Sequence, residues 1–185
     1  MDSEFEHVFG RDLLQVEILN PARTQRLFTI FNNHLKSHYV RWSEDEVTGQ
    51  RANDVRRTRQ AEVVSKIVKA ETRPDSSFLI LGDMNDPPDS PCLNAFTTDQ
   101  ELDLVDALAD PQETRPPKHD APMPATRAWT YRHTEAHKPA DYRLHDHVWL
   151  SPALAARQID AWIDRRKRHT GDGSDHDPAW ITLRF

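Results

Sequence analysis

Apolar positions along the chain change their period several times, and each change marks an element. Leu13 to Leu19 (LLQVEIL) is short, apolar and partly alternating, which predicts a strand. Asn20-Pro21 opens a turn, and Leu27 to Asn33 (LFTIFNN) reads as a second strand rich in aromatic and β-branched residues, so a hairpin is expected. Residues 37 to 53 are polar with no clear period and read as a loop. Asn53 or Asp54 is placed to cap a helix in which Ala61, Val64, Ile67 and Val68 recur at three and four residues, and Arg73-Pro74 ends it. Phe78 to Leu81 (FLIL) is continuously apolar, the pattern of a strand buried on both faces.

Gly82 closes that strand, and GDMNDPPDSP follows as a structured loop. Leu93 to Phe96 and Leu102 to Leu108 predict short helices, and Pro111, Pro116, Pro117, Pro122 and Pro124 predict an exposed connection. Trp129 to Arg132, Val148 to Ser151, Ile159 to Ile163 and Ala179 to Phe185 read as strands. A basic run, Arg165 to His169, and a Gly-rich turn, TGDGSDHDP, precede the last of them. Many short strands with few helices point to a layered α/β domain with mainly antiparallel pairing.

Composition narrows the function classes. At 185 residues and 37% hydrophobic, with a mean hydropathy of −0.79, the chain can form one polar, compact domain. The longest apolar run, around Phe78 to Leu81, is far too short to span a bilayer. MDSEFEHVF has no apolar signal core, which favours a cytoplasmic location and leaves open a signal lying upstream. Cys92 is the single cysteine, which excludes an intrachain disulfide framework and a multi-cysteine zinc site. Twenty-four basic against thirty acidic residues give −6 and a pI near 5.9, against tight nucleic-acid binding by bulk charge.

Four polar clusters sit at strand ends, where a scaffold can present side chains to a cleft. Asn33-His34 with Lys36 offers an imidazole and a positive charge. In Gly82-Asp83-Met84-Asn85-Asp86, residues two apart face the same way, so Asp83 and Asn85 converge while Met84 points into packing. A carboxylate beside an amide can hold a hard cation or orient a water. Arg143-Leu144-His145-Asp146 leads into a strand with a carboxylate that could orient a histidine. Ser174-Asp175-His176-Asp177-Pro178 offers Asp175 as a metal ligand and His176 as a base. Each cluster alone is also an ordinary turn or surface feature.

Taken together, N-H-L, G-D-M-N-D, R-L-H-D and S-D-H-D-P resemble, in that order, the endonuclease/exonuclease/phosphatase family with its deoxyribonuclease I-like fold. Arg57-Thr58-Arg59-Gln60-Ala61 resembles the family's Arg- and Gln-Ala-containing helix, and the likeness runs from about Phe9 to Phe185. It implies a four-layer α/β sandwich of mainly antiparallel sheets flanked by helices, of which residues 1–185 form the C-terminal portion as a single domain, the N-terminal part missing. It also implies phosphoester hydrolysis with a divalent cation, Mg²⁺ or Mn²⁺. Asp83 would align or activate the attacking water, and Asn85 would hold it or the phosphate. Asp175, with Asp83 and Asn85, would bind the metal. His176 would act as base or transition-state stabiliser with Asp146 behind it, and His34 would donate to a phosphate oxygen. Asn33, Lys36 and Arg57 would contact substrate.

The pattern departs from the family in two places. No glutamate stands in the family's earlier metal-binding block (Glu4, Glu6 and Glu17 are the early ones), and His145 stands where the family usually has Ile. The expectation is therefore weak or no activity for the chain alone, with self-association through exposed sheet as a consequence of the missing half. The substrate is open between a nucleic acid, a phospholipid head group and a small phosphorylated metabolite, with the acidic balance favouring the latter two. A non-catalytic binding module that keeps the fold is the alternative. A zinc hydrolase is disfavoured, because His133, His137, His145 and His147 fit no familiar zinc spacing.

Overall fold

A computed structural model describes residues 8–113, 126–165 and 174–185. Glu4, Glu6, most of the proline-rich connection, the basic run after Arg165 and the glycines of the TGDG turn lie outside the described residues. Strands β1 (Leu14–Leu19) and β2 (Arg26–Asn32) form the expected antiparallel hairpin. Its turn is held by Asn20, whose side-chain oxygen accepts the Thr24 amide at 2.9 Å. Helix α1 (Glu46–Glu71) then crosses over to β3 (Phe78–Asp83), which lies parallel to β2.

The helix begins earlier than its apolar period predicts. Asp45, not Asn53 or Asp54, is the cap, its carboxylate accepting from the Thr48 amide at 2.9 Å. The extra turns have little apolar surface. They are tied down by side-chain amides: Gln50 donates to the His38 carbonyl at 2.8 Å, and Asn53 donates to the Tyr39 carbonyl at 3.0 Å. Tertiary hydrogen bonds thus extend a helix that local pattern would have started later.

After a 3-10 turn at Pro91–Leu93 and a short α2 (Asn94–Thr97), the segment from Leu102 departs from the expected helix. It turns on Asp99, whose side chain accepts from the Leu102 amide at 3.2 Å. Val105–Asp106 then runs as the short strand β4. Strand β5 (Gln112–Glu113), the hairpin β6 (Tyr131–His133) with β7 (Asp141–Arg143), and β8 (Asp146–Leu150) follow. Helix α3 (Pro152–Ala155) leads to β9 (Gln158–Ile163) and β10 (Ala179–Leu183). The strands assemble as one five-stranded sheet in the order β1-β2-β3-β8-β4 and a three-stranded sheet in the order β10-β9-β5.

Alternation along β3 explains the layering. Phe78 and Ile80 pack with Phe31, Ala61, Val64, Val68 and Trp149 beneath α1. Leu79 and Leu81 face the other way, toward Leu108 and Leu150 and toward Ala161 and Ile181 of the second sheet. The strand is therefore buried on both faces, and the mixed α/β sandwich of mainly antiparallel pairs stands as a helix layer over two sheets among the described residues. Apolar residues also remain at the surface: Leu14, Ile159, Trp180 and Phe185 are each two-fifths exposed or more.

Ser151 locks the far end of β3. Its hydroxyl accepts from the Phe78 amide at 3.1 Å and caps α3, while its own amide donates to the Phe78 carbonyl at 2.9 Å. Ser151→Ala leaves a buried N–H without its acceptor and is expected to cost about 1–3 kcal/mol. Urea denaturation checks it, and an unchanged midpoint would count against the lock.

Candidate active site

Three strand ends meet at one edge of the large sheet. Past β2, the chain keeps pairing with β3, the Asn33 amide donating to Leu81 O at 3.0 Å and the Leu35 amide to Asp83 O at 2.9 Å. This brings His34 beside Asp83, with Nε2 at 3.2 Å from Oδ2. On the other side of β3, Asp83 is paired across the ladder with Asp146 of β8. The loop before β10 then bridges to β6, His176 pairing with Tyr131, and sets His176 Nδ1 at 2.6 Å from Asp146 Oδ2. A carboxylate oxygen can only accept, so Nδ1 carries the hydrogen and Nε2 is the nitrogen left for chemistry.

One oxygen each from Asp83 and Asp146 and a ring nitrogen of His176 lie within 4.8 Å of one another. The electrostatics follow from that crowding. Burial, and then the neighbouring Asp146 charge, push the Asp83 carboxyl up to about 6. Burial would also raise Asp146, but hydrogen bonds from His176 and Thr130 hold it below the usual carboxylate range. The Asp146 bond raises His176 against the opposing effect of burial. His34 is lowered, first by burial and then by Arg11. Two closely spaced carboxylates, one of them reluctant to ionise, form a donor set that suits a hard divalent cation, whose charge would remove the penalty.

Asn85 has left-handed backbone, φ 56°, which aims its amide N–H back at Asp83 Oδ1 at 2.9 Å and its side-chain nitrogen at the Leu35 carbonyl at 3.1 Å. Met84 between them is fully buried, the inward direction expected for it. Asp175 is at the rim, exposed, with Oδ1 4.0 Å from His176 Nε2. A cleft of about 480 Å³ opens in front of Asn85, Asp175 and His176, walled by Tyr131, His145 and Arg143. A larger hollow of about 710 Å³ lies along α1 near Asp54, Arg59 and Cys92 and contains none of the predicted site residues.

The three expected substrate contacts are placed differently. Asn33 is buried and donates to the Leu81 carbonyl at 3.2 Å. The Lys36 ammonium is held by the carbonyls of Ser37 and Tyr39 at 2.8 and 3.3 Å. Arg57 is not brought to the cleft: its guanidinium is fully buried, bonded to Asp86 at 2.7 Å, to the Lys36 carbonyl at 2.6 Å and to Asp54 at 2.6 Å. It clamps α1 to the loop after β3. Burial would raise Asp86, but His38 and Arg57 hold its carboxyl well below the ordinary range.

Two groups support the site, and one of them, Thr130, was not singled out from sequence. The Thr130 hydroxyl accepts from the His145 and Asp146 amides at 3.3 and 3.1 Å. The His145 ring stacks on Tyr131 with centroids 4.7 Å apart, and burial pushes its pKa down to about 3. Nothing in A-W-T-Y marks Thr130, because its role is set by strand pairing.

Comparison with known proteins identifies the family and the fold. The model of the endonuclease/exonuclease/phosphatase family matches residues 6–176. No curated protein matches the sequence. Among solved structures, the chain is similar to a 3′ phosphatase from Neisseria bound to a product DNA hairpin (17% identity, TM-score 0.58, 92% of this chain and 70% of that one). It is similar to an AP endonuclease from Archaeoglobus fulgidus (17%, 0.56, 85% and 62%). It is also similar to a mannosyl-6-phosphatase from Bacteroides thetaiotaomicron (16%, 0.52, 92% and 56%). The chain thus spans less than two thirds of the length of two of the three. At these identities the structures attest the deoxyribonuclease I-like fold. With the family model matched along nearly the whole sequence, this chain belongs to the endonuclease/exonuclease/phosphatase family.

Proposed function

We propose that the site hydrolyses phosphoester bonds by attack of a positioned water. The observation that supports this most is the convergence of Asp83, Asp146 and His176 within 4.8 Å, with His34 against Asp83. Asp83, its pKa near neutrality, takes the proton of the attacking water, and Asn85 fixes the backbone that aims it. His176, whose protonated form the Asp146 bond favours, donates from Nε2 to a nonbridging phosphate oxygen, and the His34 ring beside Asp83 is placed to turn its N–H to a second one. As water adds to phosphorus the ester P–O bond breaks, and the leaving alkoxide takes a proton from solvent to depart as the alcohol. Asp83 and Asp146, with Asn85 and Asp175 at the rim, would hold Mg²⁺ or Mn²⁺, which when bound supplies positive charge to the phosphate oxygens. A small phosphorylated metabolite or lipid head group suits the compact cleft and acidic balance better than long nucleic acid.

The test is hydrolysis of p-nitrophenyl phosphate and bis(p-nitrophenyl) phosphate with Mg²⁺ or Mn²⁺ and then EDTA, for the chain alone and with a polypeptide supplying the earlier half of the fold. Turnover that needs the metal supports the proposal. Its absence in every arm overturns it and favours the second reading, a phosphate-binding module without turnover. One observation speaks for that second reading: Glu17, the one early glutamate among the described residues, is bonded to Arg26 at 2.7 Å on the β1–β2 hairpin.

The assignment carries a pH signature. Asp83 must be ionised, so activity is expected to rise as pH passes upward through about 6. His176 must keep its proton, so activity is expected to fall again above its pKa, which lies above the ordinary 6.5. Binding of a cation competes with the proton on Asp83, so a higher Mg²⁺ concentration is expected to move the ascending limb to lower pH. Profiles of kcat/KM at two metal concentrations check this. A limb that stays in place argues against Asp83 as both base and metal ligand.

A further inference from the structure

Arg165 opens the basic run that reads, in sequence, as a solvated strand end or a phosphate patch. The structure buries it instead, with only 1% of its surface exposed, immediately after β9. Its guanidinium joins three segments. Nε donates to Glu113 Oε1 at 2.7 Å. Nη2 donates to the Arg127 carbonyl at 2.5 Å. Nη1 donates to the Trp129 carbonyl at 2.6 Å and to Asp177 Oδ2 at 3.0 Å. Its Cζ lies 3.6 Å from the Trp129 ring centroid, within reach of a cation–π contact.

What the cation joins is specific. Asp177 directly follows His176, is itself 1% exposed, and its amide donates to the Thr130 carbonyl at 2.6 Å. Thr130 follows Trp129, and its hydroxyl accepts from the Asp146 amide. One guanidinium therefore grips the loop that carries His176 and, through the same nitrogen's second bond, the segment on which Asp146 rests. The His176–Asp146 bond is 2.6 Å long and bridges those same two pieces of chain. A planar fork with donors on three nitrogens can fix their relative position; a lysine ammonium is a single point and cannot.

We propose that Arg165 is a positioning residue for His176, acting through Asp177 and the Trp129–Thr130 backbone. This rests on the reading of His176 and Asp146 as the reacting pair. The test reads that pair directly, by NMR of the uniformly ¹⁵N-labelled chain. The Nδ1-bound proton of His176, deshielded by its bond to Asp146, is assigned by its loss in His176→Gln. It is expected to be displaced or lost in Asp177→Asn and in Arg165→Lys, with native amide shifts retained in β1 and β2. It is expected to stay in place in Asp99→Asn, which breaks the ion pair with Lys69 on α1. An unmoved proton in both clamp variants overturns the proposal, and so does loss of the folded spectrum in both, which would make the clamp a stability element only. Should Asp177→Asn alone unfold, Arg165→Lys decides by the same reading. A displaced proton with undiminished phosphoester turnover keeps the positioning role and overturns the pair as reacting groups.

Discussion

His176→Ala is expected to lower kcat for phosphoester hydrolysis by about 1,000-fold, the scale at which a positioned proton donor contributes. The reason is placement. His176 is the imidazole whose one nitrogen is fixed by a carboxylate at 2.6 Å while the other looks past Asp175 into the cleft. His34 is also present, but burial and Arg11 lower its pKa, which disfavours it as a replacement for the lost positive charge. Asp146→Asn is expected to lower kcat too, because an amide still holds the ring but no longer favours its protonated form and offers the cation one carboxylate fewer. The His176 contact is shared, so the double variant should fall by less than the product of the two single effects. Steady-state kinetics with Mn²⁺, in whichever preparation carries activity, measure all three. A His176→Ala enzyme within tenfold of the parent would remove the imidazole from the mechanism.

How much of this was legible in the sequence depends on what fixed each feature. The hairpin and FLIL were readable because their alternation or continuity is the direct imprint of burial on one or two sheet faces. Asp83 and Asn85 were readable because the apolar run of β3 gives out at Gly82, and the polar residues that follow emerge at the sheet edge. The early turns of α1 were not readable, since Gln50 and Asn53 hold them through the carbonyls of His38 and Tyr39, a contact no local pattern encodes. The helix expected at Leu102 to Leu108 failed for a similar reason: β8 offers Val105 and Asp106 a ladder, and pairing outweighs a weak helical period. Arg57 and Arg165 were misplaced because sequence shows their charge and not their burial. Both are clamps, each balanced by buried acids that stand far away along the chain.

Gly82→Ala is the substitution expected to damage the fold most. Gly82 has φ 132°, a conformation that side-chain-bearing residues rarely adopt, and it sits between Leu81 and Asp83 where β3 is paired on both sides. A Cβ built there would meet the Asn33 carbonyl oxygen at 1.8 Å, and backbone cannot swing aside as a flexible side chain can. Relief requires separating the extension of β2 from β3, which breaks the Asn33 and Leu35 amide bonds to that strand. Strain plus those losses should cost on the order of 4 kcal/mol, lowering the melting temperature by about 10 °C for a domain of this size. The same separation withdraws His34 from Asp83, so any protein that still folds should also lose turnover. Gly10→Ala is the matched control, because a Cβ there meets nothing within 4 Å and the melt should not move. Calorimetry of the two variants decides the matter: a Gly82→Ala protein that melts with the parent would mean the strand end is slack, and a slack strand end could not hold His34, Asp83 and Asn85 in register for chemistry.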